Sequence, residues 1–80
     1  FMEKKIILPR LGETMEIGTI SSWLIKEGDE FKRGQIIAEI DSDKTTVELP
    51  ALEDGKLIKI LHKDGEEIEV GSDIAIFESI

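Results

Sequence analysis

Eighty residues make one small domain, near the lower limit of what a single hydrophobic core sustains. With 40% hydrophobic and 35% charged residues the chain suits a globular fold, and a net charge of −8 argues against nucleic acid as a partner. No cysteine is present, which excludes disulfides, a thiolate zinc site and a cysteine nucleophile and fits a reducing compartment.

In chain order, Met2 reads as a natural start with Phe1 a remnant ahead of it. A first apolar stretch meets the turn signal "LGET" at residues 11–14. "TISSWLI", residues 19–25, comes next, and its Ile20, Trp23, Leu24 and Ile25 do not share one parity. A bulge, or a strand bending between sheets, is expected there. "EGDE" turns the chain at 27–30, "SDKT" at 42–45, "LEDG" at 52–55 and "KDGE" at 63–66. The intervening stretches are short and rich in Ile, Val, Leu and Thr, and none has a helical period with caps. No apolar run spans a membrane and no signal peptide is visible. The pattern predicts an all-β fold of about eight short strands, a flattened barrel or sandwich.

The glycines reveal an internal repeat. Gly18, Gly28 and Gly34 recur as Gly55, Gly65 and Gly71, each pair 37 residues apart. Ile20 matches Leu57, Leu24 matches Leu61, Phe31 matches Ile68 and Ile37 matches Ile74 at the same offset. "KEGDEFKRG" and "KDGEEIEVG" are one motif written twice. Two repeats are too few for a solenoid, so two halves related by a quasi-two-fold axis are expected, giving two four-stranded antiparallel sheets. Gly28, Gly34, Gly65 and Gly71 are expected in equivalent turns, and Gly12 alone stands outside the pattern.

"EIDSDKTTVELPA", residues 39–51, reads as a hairpin without the Asn-Gly or Asp-Gly of the tightest turns. If Ile40 faces Val47, then Ala38 faces Leu49 on the buried face, while Glu39 faces Glu48 and Asp41 faces Thr46 on the other. The same register puts Asp43 and Lys44 at the apex of a four-residue turn, Ser42–Thr45, which suits a type I turn. Shifted by the repeat, this hairpin falls on the chain ends, so the termini are expected opposite the lysine. A turn lysine is ordinarily plain surface. This one caps the hairpin that breaks the repeat, among Glu39, Asp41, Asp43 and Glu48.

The hairpin resembles the lipoylation hairpin of lipoyl domains, whose Asp-Lys-Ala or Asp-Lys-Val apex carries lipoic acid. "GTISSWLIKEGDEFKRGQIIAEI" is similar to the upstream half of that family, and the likeness runs from "ILPRLGE" to "AIFES". It points to the lipoyl domain of the dihydrolipoamide acyltransferase component of a 2-oxoacid dehydrogenase complex. The apex here is Asp-Lys-Thr, a departure in its third residue. Biotin carrier domains share the fold but resemble Met-Lys-Met at the tip, and Asp43 and Thr45 speak against them.

The resemblance implies one lipoyl-binding domain over residues 1–80. It implies lipoic acid joined to Lys44 as an amide, with Asp43 and Thr45 as flanking recognition residues. A lipoate-protein ligase or lipoyl transferase would attach the group. A thiamine-diphosphate-dependent 2-oxoacid decarboxylase would then load an acyl group on it, an acyltransferase catalytic domain would pass that group to coenzyme A, and dihydrolipoamide dehydrogenase would reoxidise the dithiol. Tethering makes each transfer quasi-intramolecular. In the family the loop after the first strand lies beside the lysine and aids partner recognition; here it is Leu11, Gly12, Glu13, Thr14, Met15 and Glu16. The domain would be a non-catalytic carrier, part of an acyltransferase chain or free-standing. The lack of a transit peptide points to a prokaryotic cytoplasm.

Other chemistry has little support. His62 is the only histidine and occupies the repeat position of Ile25, so a strand residue is expected rather than a base or a metal ligand. Trp23 and Phe31 are expected in the core, and Asp29-Glu30 and Glu66-Glu67 as solvated turn residues. An independent enzyme, or an interaction module with Lys44 unmodified, are the rival classes.

Overall fold

The computed structural model describes residues 2–12, 14–42 and 44–80. Its eight strands are β1 (Glu3–Ile7), β2 (Ile17–Trp23), β3 (Glu30–Phe31), β4 (Ile36–Asp41), β5 (Thr46–Pro50), β6 (Gly55–Ile60), β7 (Glu67–Glu69) and β8 (Asp73–Ser79). They form two four-stranded antiparallel sheets, β1-β8-β6-β3 and β5-β4-β2-β7. The described residues contain no helix, and so none long and apolar enough to cross a membrane.

The two strand orders are one order written twice, with β1 standing for β5, β8 for β4, β6 for β2 and β3 for β7. The irregularities repeat as well. Register shifts between Ile20 and Ser22, and again between Leu57 and Lys59, place one extra residue in β2 and in β6. This bulge accounts for the broken parity of "TISSWLI". A second matched pair of shifts lies at Ile37 in β4 and at Ile74 in β8.

Alternating side chains put one face of each sheet inside. Ile20, Ile40, Leu49 and Ile68 meet Phe31, Leu57, Ile74 and Phe77 in a single core. Leu8, Ile20, Ile37, Ile40, Leu57 and Ile74 are fully buried, and each such side chain contributes about 1.5–3 kcal/mol. Trp23 is half-buried against this core and donates its indole N–H to the His62 carbonyl at 2.8 Å.

The halves are tied together reciprocally. The Gly28 N–H donates to the Leu57 carbonyl and the Gly65 N–H to the Ile20 carbonyl, both at 2.7 Å. Glu27 accepts from the Ile60 N–H at 2.8 Å, and Asp64 accepts from the Trp23 N–H at 3.1 Å. These acidic turn residues therefore serve the backbone. Gly28 and Gly65 have φ of 94° and 90°, in the left-handed region that glycine occupies without penalty. Gly34 and Gly71 have the same conformation. Gly18 and Gly55 differ: a Cβ on Gly55 would lie 2.7 Å from the Phe77 ring, 2.8 Å from the Phe31 ring and 2.9 Å from the Glu78 carbonyl. The third pair thus serves close packing rather than a turn.

His62 follows β6 instead of lying in it, because the strand gives way to a turn after Ile60. Its Nδ1 lies 2.6 Å from Glu66 Oε2. That contact and the Lys63 backbone hold the Glu66 carboxyl below its ordinary value. Among the described residues no three His, Cys, Asp or Glu side chains gather as metal ligands would.

Candidate functional site: the lysine-tipped hairpin

The β4–β5 hairpin has the register that its alternation predicts. Ala38 faces Leu49, Glu39 faces Glu48, Ile40 faces Val47 and Asp41 faces Thr46. Ala38, Ile40 and Leu49 are buried and Val47 half-buried, while Glu48 and Thr46 are exposed. The hairpin is therefore anchored by one apolar face, with its other face and its tip in solvent.

Beyond the last strand pair the Ser42 N–H donates to the Thr45 carbonyl at 2.8 Å, and the Ser42 hydroxyl donates to the same oxygen at 2.9 Å. One rung below, the Thr46 hydroxyl donates to Asp41 Oδ1 at 2.6 Å. Lys44 and Thr45 are exposed, and among the described residues Lys44 enters no ion pair. Asp43, the expected second apex residue, lies outside the described residues, as does Glu13 of the neighbouring loop.

The loop between β1 and β2 lies beside this tip. A groove of about 460 Å³ separates them, lined by Leu11, Gly12, Thr14, Met15, Glu16 and Ile17 on one side and by Ser42, Lys44, Thr45 and Val47 on the other. Leu11 packs against the core and Met15 is only 8% exposed. These two anchor the loop, and Met15 has little surface to offer a partner. Gly12, Thr14 and Glu16 are exposed. Ile17 and Val47 also line the groove, although the resemblance did not single them out. Ile17 is 48% exposed, unusual for an isoleucine that opens a central strand. A second, more apolar groove of about 400 Å³, walled by Phe31, Leu49, Leu52 and Phe77, shares only Leu11 with the first and excludes Lys44.

The termini sit at the other end of the hairpin. Its base closes through the Gly34 N–H to the Ala51 carbonyl, and the next turn accepts the Ile80 N–H on the Asp54 carbonyl. From Thr46 to Ala51, below the tip, the chain spans roughly 17 Å.

The sequence model of the biotin/lipoyl family, described as "Biotin-requiring enzyme", matches residues 4–77. The chain belongs to that family. It is 43% identical over 76 residues, 94% of this chain, to the dihydrolipoyllysine-residue acetyltransferase component of the pyruvate dehydrogenase complex of Rhizobium meliloti. It is 45% identical over 74 residues, 91% of this chain, to the mitochondrial acetyltransferase component 2 of the same complex in Arabidopsis thaliana. The chain spans only 17% and 14% of the length of these relatives. Among solved structures, the lipoyl domain of the 2-oxoglutarate dehydrogenase complex from Azotobacter vinelandii superimposes with a TM-score of 0.74 at 29% identity, covering 91% of this chain and 92% of that one. The all-β architecture is thus that of a lipoyl domain.

Proposed function

We propose that this biotin/lipoyl-family domain is a lipoyl carrier with its attachment site at Lys44. The observation that carries this reading is the placement of an exposed lysine at a hairpin tip, with an Asp-Lys-Thr sequence and a groove beside it. The site suits the group. Lys44 is accessible to a ligase, and the groove joins apolar Leu11, Ile17 and Val47 to the hydroxyls of Thr14 and Thr45. The tip sequence favours lipoate over biotin.

In attachment the Lys44 nitrogen attacks the carbonyl of an activated lipoyl acid. The N–C bond forms, the activating group leaves with its bonding pair, and the ammonium gives up two protons in all. When bound, the lipoyl group supplies a dithiolane that takes up an acyl group and two electrons and gives them up again. The chain's own residues catalyse none of this. The hairpin presents the lysine, the core holds the hairpin, and Gly12, Thr14 and Glu16 offer a surface beside the tip. The partners follow from this role: a lipoate ligase or transferase, a thiamine-diphosphate-dependent 2-oxoacid decarboxylase, an acyltransferase catalytic domain and dihydrolipoamide dehydrogenase.

Intact mass tests the proposal. Incubated with lipoate, ATP and a lipoate ligase, the protein is expected to gain one lipoyl increment. Incubated with biotin, ATP and a biotin ligase, it is expected to gain none. The reverse pattern would assign the domain to biotin instead.

A further inference from the structure

The bonds around the lysine turn are not those of a generic hairpin end, and the molecule contains its own control. The repeat that relates β4 to β8 and β5 to β1 carries Asp41 onto Glu78 and Thr46 onto Glu3. Asp41 faces Thr46, and Glu78 faces Glu3. Ser42 corresponds to Ser79, whose N–H donates to the Met2 carbonyl at 2.9 Å, just as the Ser42 N–H donates to Thr45. The backbone rung is therefore common to both ends. The side-chain bonds are not. Two glutamates face each other at the chain ends, where the lysine hairpin has a hydroxyl-to-carboxylate bond of 2.6 Å. The Ser42 hydroxyl bond at 2.9 Å likewise has no counterpart at Ser79 among the described residues.

The difference is located where it has an effect. Lys44, Thr45 and Thr46 are exposed, and the nearest fully buried side chain on β4 is Ile40. Packing cannot aim the tip. Turn chemistry does not lock it either, because the sequence lacks the glycine or asparagine that fixes the twist of a primed two-residue turn. Among the described residues, what defines the tip beyond the backbone rung shared by both ends is the set of side-chain bonds in the two rungs beneath Lys44.

We infer that Thr46, through its bond to Asp41, is a positioning residue for modification of Lys44, with Ser42 as a second brace. This rests on the lipoyl-carrier reading. The Thr46 hydroxyl and the Asp41 carboxylate clamp β4 to β5 directly below the turn, so the amine is presented in one direction. A lateral error of about 1 Å at a reacting atom costs on the order of a hundredfold in rate. A slack tip therefore slows attachment without unfolding the domain.

The test is lipoylation kinetics on four proteins: the parent, Thr46→Ser, Thr46→Val and Asp41→Asn, with lipoate, ATP and a lipoate ligase. Valine keeps the size, β-branching and strand preference of threonine, so the fold is retained. Serine keeps the hydroxyl. Asparagine keeps the acceptor oxygen and removes the charge. Thr46→Val is expected to lower kcat/KM on the order of tenfold, mostly in kcat, and to speed hydrogen exchange at the Ser42 amide. Thr46→Ser is expected to restore most of the rate, and Asp41→Asn to lose less than Thr46→Val. A Thr46→Val protein modified at the parental rate would overturn the inference. So would a rate loss in Asp41→Asn that exceeds that in Thr46→Val, since the carboxylate would then act on the ligase and not on the turn. A parent that takes no lipoyl group at Lys44 would instead overturn the carrier reading on which the inference rests.

Discussion

Lys44 is chemically one of eight lysines, and exposure does not set it apart, because every lysine except the half-buried Lys4 is exposed. Lys4 and Lys5 are engaged with Glu53 and Asp73. What distinguishes Lys44 is its place at the end of a registered hairpin. Lys44→Arg keeps the charge but lacks an acylatable amine. We expect it to fold with a stability change under about 0.5 kcal/mol and to take no lipoyl group, as judged by thermal melting and intact mass. Gly12 tests the loop. An alanine there meets nothing closer than Met15 Cβ at 3.9 Å and needs no left-handed backbone. Gly12→Ala should melt with the parent, so that any lost recognition by the decarboxylase, measured as KM for the lipoylated domain, would be a surface effect.

At the scale of turns and strands, glycines that look alike in the sequence have two different reasons to be there. Gly65→Ala places a side chain in a left-handed turn at a cost of about 1–2 kcal/mol. Gly55→Ala drives a methyl into two rings and a backbone carbonyl, an overpacking that costs about 1–3 kcal/mol. Gly18 has softer neighbours, the Met15 methyl at 2.6 Å and Ile40 Cγ2 at 2.9 Å. We therefore expect urea midpoints to fall further for Gly55→Ala than for Gly18→Ala. The turn after β6 makes a pH prediction. Glu66 is held below its ordinary value chiefly by the His62 hydrogen bond. A carboxyl depressed in the folded state adds stability that is complete above its unfolded value, about 4.3, and is lost as pH falls through its folded value. Glu66→Gln should thus flatten the acid limb of the stability profile, measured by denaturation at a series of pH values. The same scale shows what the sequence made legible. The repeat and the β4–β5 register are readable because apolar alternation and residue spacing determine them. The bulge at "TISSWLI" is visible as broken parity, but the separate shift at Ile37 is hidden, since "IIAEI" is nearly continuous in apolar residues and a shift there leaves no trace. The role of Gly18 and Gly55 was not legible, because a glycine does not announce whether it serves a turn or a close approach. Nor was the departure of His62 from β6, since Ile58, Ile60 and Leu61 before it continue a strand-like run.

For the whole molecule, the quasi-two-fold axis separates two tasks. One hairpin end carries the lysine, and its symmetry mate is where the chain begins and ends, across a body 36 Å long and about 20 Å wide. A domain joined to a larger assembly by its termini would hold its modified tip outward, the arrangement a shuttle between active sites requires. The candidate site was legible in the sequence to the extent that it is a hairpin tip. Its groove was not, because it lies between segments distant in sequence, residues 11–17 with Leu11 and Met15 set on the core and the hairpin end with Val47. The apex of this hairpin, and not the mere presence of a lysine, is expected to direct modification. Exchanging the apex residues, Asp43→Lys with Lys44→Asp, preserves composition and net charge while re-aiming the amine. Quantitative mass spectrometry of parent and exchanged protein after identical treatment with lipoate, ATP and ligase tests it. One increment is expected on Lys44 in the parent and little on the relocated lysine. Equal modification of the two proteins, or comparable labelling of Lys26 or Lys63 in the parent, would contradict it.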